Sequence, residues 1–225
     1  KRKEWFNLKI EMHCHTKEVS PCADVPAERV IEELIKKGFD GVLITDHESI
    51  DGWRKVSKKK YENFVILRGF EFLTVMGDML VILPEEEVIP YKEDIYPLDL
   101  IDIVHKKNGA VGIPHMFRKS VFLDDTEKYK DLNYFPTISI GISSKDFFLT
   151  ESIIKAVDFV EVENGRATEN ENYTAEWWAN QYFKTKTKGS DSHTLDEIGK
   201  CYTEILMEIK NEADLIFALK NNLVR

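Results

Sequence analysis

Residues 41–47 read Gly41-Val42-Leu43-Ile44-Thr45-Asp46-His47. The apolar run predicts a short buried strand, and it stops on a carboxylate and an imidazole. The same pattern recurs on both sides. Asn7–His13 predicts a strand that ends in His13-Cys14-His15, and Phe64–Phe72 predicts one that carries Glu71. Met79–Leu83 predicts another. Ala110–Pro114 runs into His115, Phe159–Val162 runs into Glu163, and Lys186–Ser190 leads into Asp191-Ser192-His193. Thr203–Ile209 predicts a late strand. Between the strands lie helical patterns at Pro26–Lys37, Pro97–Lys107, Asn170–Phe183 and Glu212–Leu219. In the first of these Val30, Ile31, Leu34 and Ile35 form the apolar face, Asp24 is the expected cap and Gly38 the stop.

Strands that alternate with helices imply an α/β domain with a parallel sheet and helices packed outside it. Side chains at strand ends spread over the whole chain converge on one mouth only if the sheet curls round. The expectation is therefore a distorted, TIM-like barrel with its site at the C-terminal ends of the strands, because an open sheet would set them along a line. Residues 1–225 are read as a single domain. The stretch from Arg118 to Lys155 is the least regular and is expected to be a long loop over the site or a surface excursion.

The net charge of −9 excludes a broad nucleic-acid surface, which needs basic residues, while leaving room for a nucleotide or an oligonucleotide end. Apolar runs such as Met79–Leu83 are strand-sized, no run reads as a signal peptide, and no membrane association is expected. The chain begins at Lys1, which is compatible with a missing upstream segment. Three cysteines do not make a disulfide framework, so a reducing, cytoplasmic setting is the expectation. Cys14 on a strand points away from His13 and His15 and is read as a buried thiol.

Five of the six histidines follow predicted strands: His13, His15, His47, His115 and His193. Asp46, Glu71, Glu163 and Asp191 occupy similar positions. Neutral imidazoles and carboxylates together suit zinc, manganese or iron. Their number exceeds what one ion needs, which points to a multinuclear site, and bridged ions favour phosphoryl chemistry. His105 falls in a helix and is read as a surface or packing residue.

The quoted motifs are His13-Cys14-His15-Thr16, Ile44-Thr45-Asp46-His47, Gly69-Phe70-Glu71, Gly112-Ile113-Pro114-His115 and Gly189-Ser190-Asp191-Ser192-His193. In this order the chain resembles the PHP (polymerase and histidinol phosphatase) family in its stand-alone phosphoesterase form. The resemblance implies a distorted barrel of seven βα units and two to three divalent ions. It implies ligand roles for His13, His15, His47, Glu71, His115, Asp191 and His193, with Glu71 as the bridging carboxylate and Asp46 supporting the histidines. The chain departs from the family after the first motif, where Glu18 is the expected extra ligand. It departs again at Gly77-Asp78, where Asp78 stands in place of a usual histidine and is expected to bind in its stead. The family's common His-Pro becomes His115-Met116, and only about forty residues separate Glu71 from His115, so no insertion domain is expected there.

Arg118 and Arg166 are expected to grip a phosphate, as an arginine fork matches phosphate oxygens. The expected reaction is hydrolysis of a phosphoester, either a small monoester such as histidinol phosphate or a nucleotide or oligonucleotide end, by a metal-held hydroxide. Asp191 or His193 would assist proton transfer. The alternatives are a non-catalytic metal-binding or interaction module and a C–N bond hydrolase of amidohydrolase type.

Overall fold

A computed structural model describes residues 7–118 and 151–225. The greater part of the expected excursion, residues 119–150, lies outside the described residues. In chain order the elements are β1 (Leu8–Cys14), α1 (Ala27–Lys36), β2 (Gly41–Ile44), α2 (Asp51–Lys55), β3 (Val65–Arg68), β4 (Phe70–Thr74) and β5 (Gly77–Ile82). Then come α3 (Pro97–Lys106), β6 (Ala110–Ile113), α4 (Glu151–Ala156), β7 (Phe159–Asn164), α5 (Glu169–Gln181), β8 (Thr185–Gly189), β9 (Thr203–Ile205) and α6 (Glu212–Lys220).

The α/β class is as expected. The all-parallel sheet is not, and among the described residues the strands form two sheets rather than one closed ring. One has the order β3-β2-β1-β9 and the other β4-β5-β6-β7-β8. The pairs β1/β2, β2/β3, β6/β7 and β7/β8 are parallel, whereas β4/β5, β5/β6 and β1/β9 are antiparallel. The reason lies at Gly69. Phe64–Phe72 was expected to be one strand, but it divides there, with β3 on β2 and β4 on β5. A side chain on Gly69 would sit 3.0 Å from the Val81 carbonyl oxygen and 3.3 Å from Leu43, one neighbour in each sheet. The chain then reverses at Val75-Met76 into Gly77, whose φ of 117° is glycine territory.

The two sheets meet at two seams. At one, Cys14 bridges to Ser192, with His15 N donating to Ser192 O at 3.0 Å and Asp191 N to His13 O at 2.7 Å. At the other, His47 bridges to Glu71, with Glu71 N donating to Asp46 O at 3.1 Å and Glu48 N to Glu71 O at 2.9 Å.

Alternation decides which side chains enter the space between the sheets. On β7, Val160 and Val162 pack outward with α3, α4 and α5, so Phe159 and Glu161 face in. On β5, Met79 and Val81 face out and Leu80 and Ile82 face in. That parity also sends Asp78 inward. The inner cluster draws Ile10, Met12, Leu43, Leu67, Leu80, Ile82 and Phe159 from both sheets and is covered by Leu215, Ile216 and Leu219 of α6. A third cluster packs α1 on the four-stranded sheet through Val30, Ile31 and Leu34. Each fully buried Leu or Ile contributes roughly 1.5–3 kcal/mol relative to exposure.

The start of α1 differs from expectation. Its N-cap position is Pro26, which makes no side-chain cap. Glu18 Oε2 instead accepts the Ala27 N–H at 3.0 Å, while the Asp24 N–H donates to His193 O at 2.8 Å. Glu18 therefore caps a helix start, and the acidic charge also suits the helix dipole. Glu18→Ala should lower unfolding stability by about 1 kcal/mol, as lost caps do, measured by urea denaturation. Bound metal, determined on the same preparation, should stay at the wild-type level, and a drop would return Glu18 to the ligand set.

Candidate metal centre

Six strands and the turns that follow them deliver imidazoles and carboxylates to one spot. His13 and His15 close β1, with Cys14 between them turned the other way, its Sγ 3.6 Å from Leu43 O. As expected, Cys14 is a buried thiol, and burial pushes its pKa well above the ordinary value. His47 follows β2, Glu71 sits on β4, Asp78 on β5, His115 after β6, and Asp191 and His193 after β8.

Two carboxylates organise the set. Glu71 Oε2 lies 3.7 Å from His13 Nε2, 3.3 Å from His15 Nε2 and 3.3 Å from His47 Nδ1, and its Oε1 lies 2.8 Å from His115 Nε2. Asp191 Oδ1 lies 3.7 Å from His13 Nε2, 3.4 Å from His15 Nε2 and 3.5 Å from His193 Nδ1. Four overlapping triads have ligand atoms mutually within 4.8 Å: His13-His15-Glu71, His13-His115-Asp191, Glu71-Asp78-His115 and His15-His47-His193. Glu71 belongs to two of them, as a shared carboxylate should. Every expected ligand except Glu18 is brought together here.

Hydrogen bonds behind the rings select which nitrogen faces the centre. His13 Nδ1 is 3.0 Å from Glu161 Oε1, which leaves Nε2 on the inside. His193 Nδ1 is 2.8 Å from Asp191 O, which frees its Nε2. His15 Nδ1 is 3.4 Å from Ser20 Oγ, and Ser20 Oγ donates to Asp46 Oδ1 at 2.7 Å. Asp46 also accepts from Thr16 N and Thr16 Oγ1 at 2.6 Å each, so it supports His15 through Ser20. Gly52 packs so close to Asp46 and Thr16 that any Cβ would collide with both. Among the described residues, none fixes His47 Nε2 or His115 Nδ1 in this way.

The electrostatics suit a cation. Burial by itself would lower the pKa of His13, but the charges of Glu161, Asp191 and Glu71 hold it well above the usual histidine value. Burial would raise Glu71, but His13 and hydrogen bonds from His115 and His15 hold it well below the usual carboxylate range. Asp191 is lowered likewise, against burial, by His13, His15, His115 and Arg118. Burial pushes Asp78 up to about 6, helped by the Glu71 charge. Burial takes His47 down to about 4 and also lowers His193. Buried carboxylates facing imidazole lone pairs are a donor set that divalent zinc, manganese or iron fits.

Both arginines reach this mouth. Arg118 Nη1 pairs with Asp191 Oδ2. Arg166 Nη1 lies 2.9 and 3.4 Å from the two ring nitrogens of His193, so the guanidinium lies across the ring, and its Nε is 3.4 Å from Glu197 Oε1. His105 pairs with Asp158 at 3.0 Å on the exposed side of α3, away from the centre.

Glu163 was singled out on β7, but the inward carboxylate is Glu161, two residues earlier. A register shift between Glu161 and Glu163 rotates the latter outward, where it pairs with Lys188 at 3.0 Å. Glu11 was also missed. It is fully buried, accepts from Ser190 N at 2.8 Å and from Ser190 Oγ, and burial pushes its pKa up to about 7. Strand parity puts Glu161 on the face of Phe159, but it points equally to Glu163, and only the register shift separates the two.

No helix among the described residues is long and apolar enough to cross a membrane. The PHP-associated family matches residues 169–224. An uncharacterised protein of Methanocaldococcus jannaschii is 24% identical over 120 residues, 49% of this chain and 68% of its own length. A two-domain protein of Bacteroides vulgatus, containing a predicted PHP-like metal-dependent phosphoesterase, superposes with a TM-score of 0.64 at 17% identity. The match covers 98% of this chain, which spans 64% of that longer protein. Endonuclease Q, solved with a 27-mer duplex bearing an abasic lesion at its active site, gives a TM-score of 0.60 at 13% identity, covering 96% of this chain and 57% of its own. The five motifs are gathered in one place, the C-terminal segment that completes the site matches the PHP-associated family, and the fold around them is shared with a PHP-like phosphoesterase and with endonuclease Q.

Proposed function

We propose that this protein is a divalent-metal-dependent phosphoesterase acting on a small phosphomonoester or a nucleotide or oligonucleotide end. The observation that carries the reading is Glu71, a buried carboxylate within 3.7 Å of imidazole nitrogens from four histidines. His13, His15, His47, Glu71, Asp78, His115, Asp191 and His193 would hold two or three ions of zinc, manganese or iron. Bound there, such ions polarise phosphoryl oxygens and make water nucleophilic near neutral pH.

The chain's own groups do the rest. Arg118 and Arg166 flank the donor set and offer forks for the phosphate oxygens. Substrate phosphate would replace Asp191 as the partner of Arg118. Asp191, held far down, stays a carboxylate throughout. His193 is neutral at pH 7, and its Nε2 carries the lone pair that takes an ion or a proton. The net charge of −9 favours a small substrate over a long polyanion.

The deciding experiment is a screen of phosphomonoesters, phosphodiesters, 5′-phosphorylated oligonucleotides and amides with added manganese, zinc or iron, with bound metal measured on each preparation. The expected result is ion-dependent phosphoester turnover at two or three ions per chain. Glu71→Gln should abolish it with the far-UV circular dichroism unchanged. A fully loaded protein that cleaves only amides, or nothing, would overturn the reading.

Ion binding should also release protons. His13 is held protonated above its ordinary range and must lose that proton to bind, whereas His47 and His193 are already neutral at pH 7. Affinity should therefore rise with pH through the His13 titration. Zinc calorimetry at pH 7 in two buffers of different ionisation enthalpy should give different apparent heats, and identical heats would contradict this account.

Arg118→Ala removes charge-assisted hydrogen bonds worth roughly 1.5–3 kcal/mol. That predicts a loss of about ten- to a hundredfold in kcat/KM. Arg118→Lys should restore part of it, because the charge remains without the fork. Bound metal should not change, and unchanged kinetics would remove Arg118 from the substrate site.

A further inference from the structure

Behind the donor set stands a carboxylate that belongs to none of the four triads. Glu161 is buried on the inward face of β7, and its two oxygens have three partners on three segments. Oε1 faces His13 Nδ1 at 3.0 Å, and Oε2 accepts from the His115 N–H at 2.8 Å and from Asn164 Nδ2 at 2.9 Å. Asn164 extends the chain of contacts. Its Nδ2 lies 3.4 Å from Asp191 Oδ2, and its Oδ1 accepts the Arg166 N–H at 2.9 Å. Asn172 of α5 grips the Asn164 backbone on both sides, accepting its N–H at 3.0 Å and donating to its carbonyl at 3.2 Å. Gly189 makes room, since a Cβ there would collide with His13 and sit 2.5 Å from Glu161 Oε1.

We propose that Glu161 and Asn164 form a positioning pair, in which Glu161 fixes the His13 tautomer and together they hold His115, Asp191 and Arg166 in one frame. The proposal rests on the metal-centre reading above. For His13 to offer Nε2 to an ion, its proton must sit on Nδ1, and an ionised carboxylate guarantees this because it only accepts. The partners of the other oxygen sharpen the point. The His115 N–H and Asn164 Nδ2 are both donors, so both demand an acceptor at Oε2. A glutamine at this position must place its carbonyl oxygen there, and its NH2 then faces His13 Nδ1. That amide would donate to Nδ1 and drive the ring proton onto Nε2, into the position an ion needs. Glu161→Gln is thus nearly isosteric yet reverses the polarity of the one contact that matters.

The test is zinc affinity by chelator competition on wild type, Glu161→Gln, Asn164→Ala and the control Glu163→Gln, with the fold checked by circular dichroism. Loss of such supporting contacts typically weakens metal binding about ten- to a hundredfold, and that is the expectation for Glu161→Gln. Asn164→Ala should lose less, and Glu163→Gln, on the outward side of the same strand, should match wild type. Histidine 15N spectra of the zinc-loaded wild type should show the His13 proton on Nδ1 and zinc on Nε2, a readout that general loosening of the fold would not produce. Wild-type zinc affinity in folded Glu161→Gln, or zinc on Nδ1 of His13 in the wild type, would overturn the positioning role while leaving the metal centre standing. A wild type that binds no zinc, manganese or iron would overturn both. Should Glu161→Gln not fold, the wild-type spectra and Asn164→Ala still decide between these results.

Discussion

A buried carboxylate with no countercharge is among the costliest groups a fold can contain. This protein buries Glu71 and Asp191 against the same two imidazoles, His13 and His15, and the surrounding architecture follows from that constraint. Each must be met by positive charge or by donors from every direction. No single strand can supply them, because its side chains leave in only two directions. The histidines therefore arrive from β1, β2, β6 and β8, and the arginines from the segments after β6 and β7. The same residues that meet the charge in the protein alone are those that would share it with ions.

The site and the closure of the fold are one structure. The two sheets touch at the Cys14–Ser192 and His47–Glu71 bridges, and the second bridge is itself a pair of donor-set residues. At the first, Asp191 N donates to His13 O between two more. Whatever draws the donor atoms together also draws the sheets together. Ions bound to the folded protein but not to the unfolded chain would stabilise the whole domain by mass action, acting at its seams rather than on one loop.

The strand-end histidines were legible because they follow short apolar runs, a local signal. Asp78 was legible as a carboxylate at a motif position, and the inward parity of β5 bears out its direction. Other features depend on non-local packing. Glu18 carries the same charge as a ligand would, and only the position of α1 shows its carboxylate at the Ala27 N–H. The break at Gly69 divides a continuous apolar run because two sheets, distant in sequence, both press on that residue. Glu161 and Glu163 are indistinguishable by composition and share a parity, until the register shift between them turns one outward. Antiparallel β5 escaped the alternation rule because a hairpin needs no helix between its strands.

Two members of the donor set sit in strained backbone. His115 has a φ of 28° and Asp191 a φ of 52°, in the left-handed region where residues other than glycine are uncommon. Such conformations cost on the order of 1–3 kcal/mol each and persist only where the surroundings over-determine them. Here the surroundings are identifiable. The His115 N–H is held by Glu161 and the Asp191 N–H by the His13 carbonyl. Both restraints lead back to β1 and β7, which flank β8 and carry His13 and its partner Glu161. Relaxing either residue to an ordinary φ would swing its side chain away from the shared carboxylate or the shared imidazoles. The strain is thus the local cost of aiming two ligands from strand ends at a common point, and the rigid pair of strands behind them keeps that aim fixed before any ion or substrate arrives.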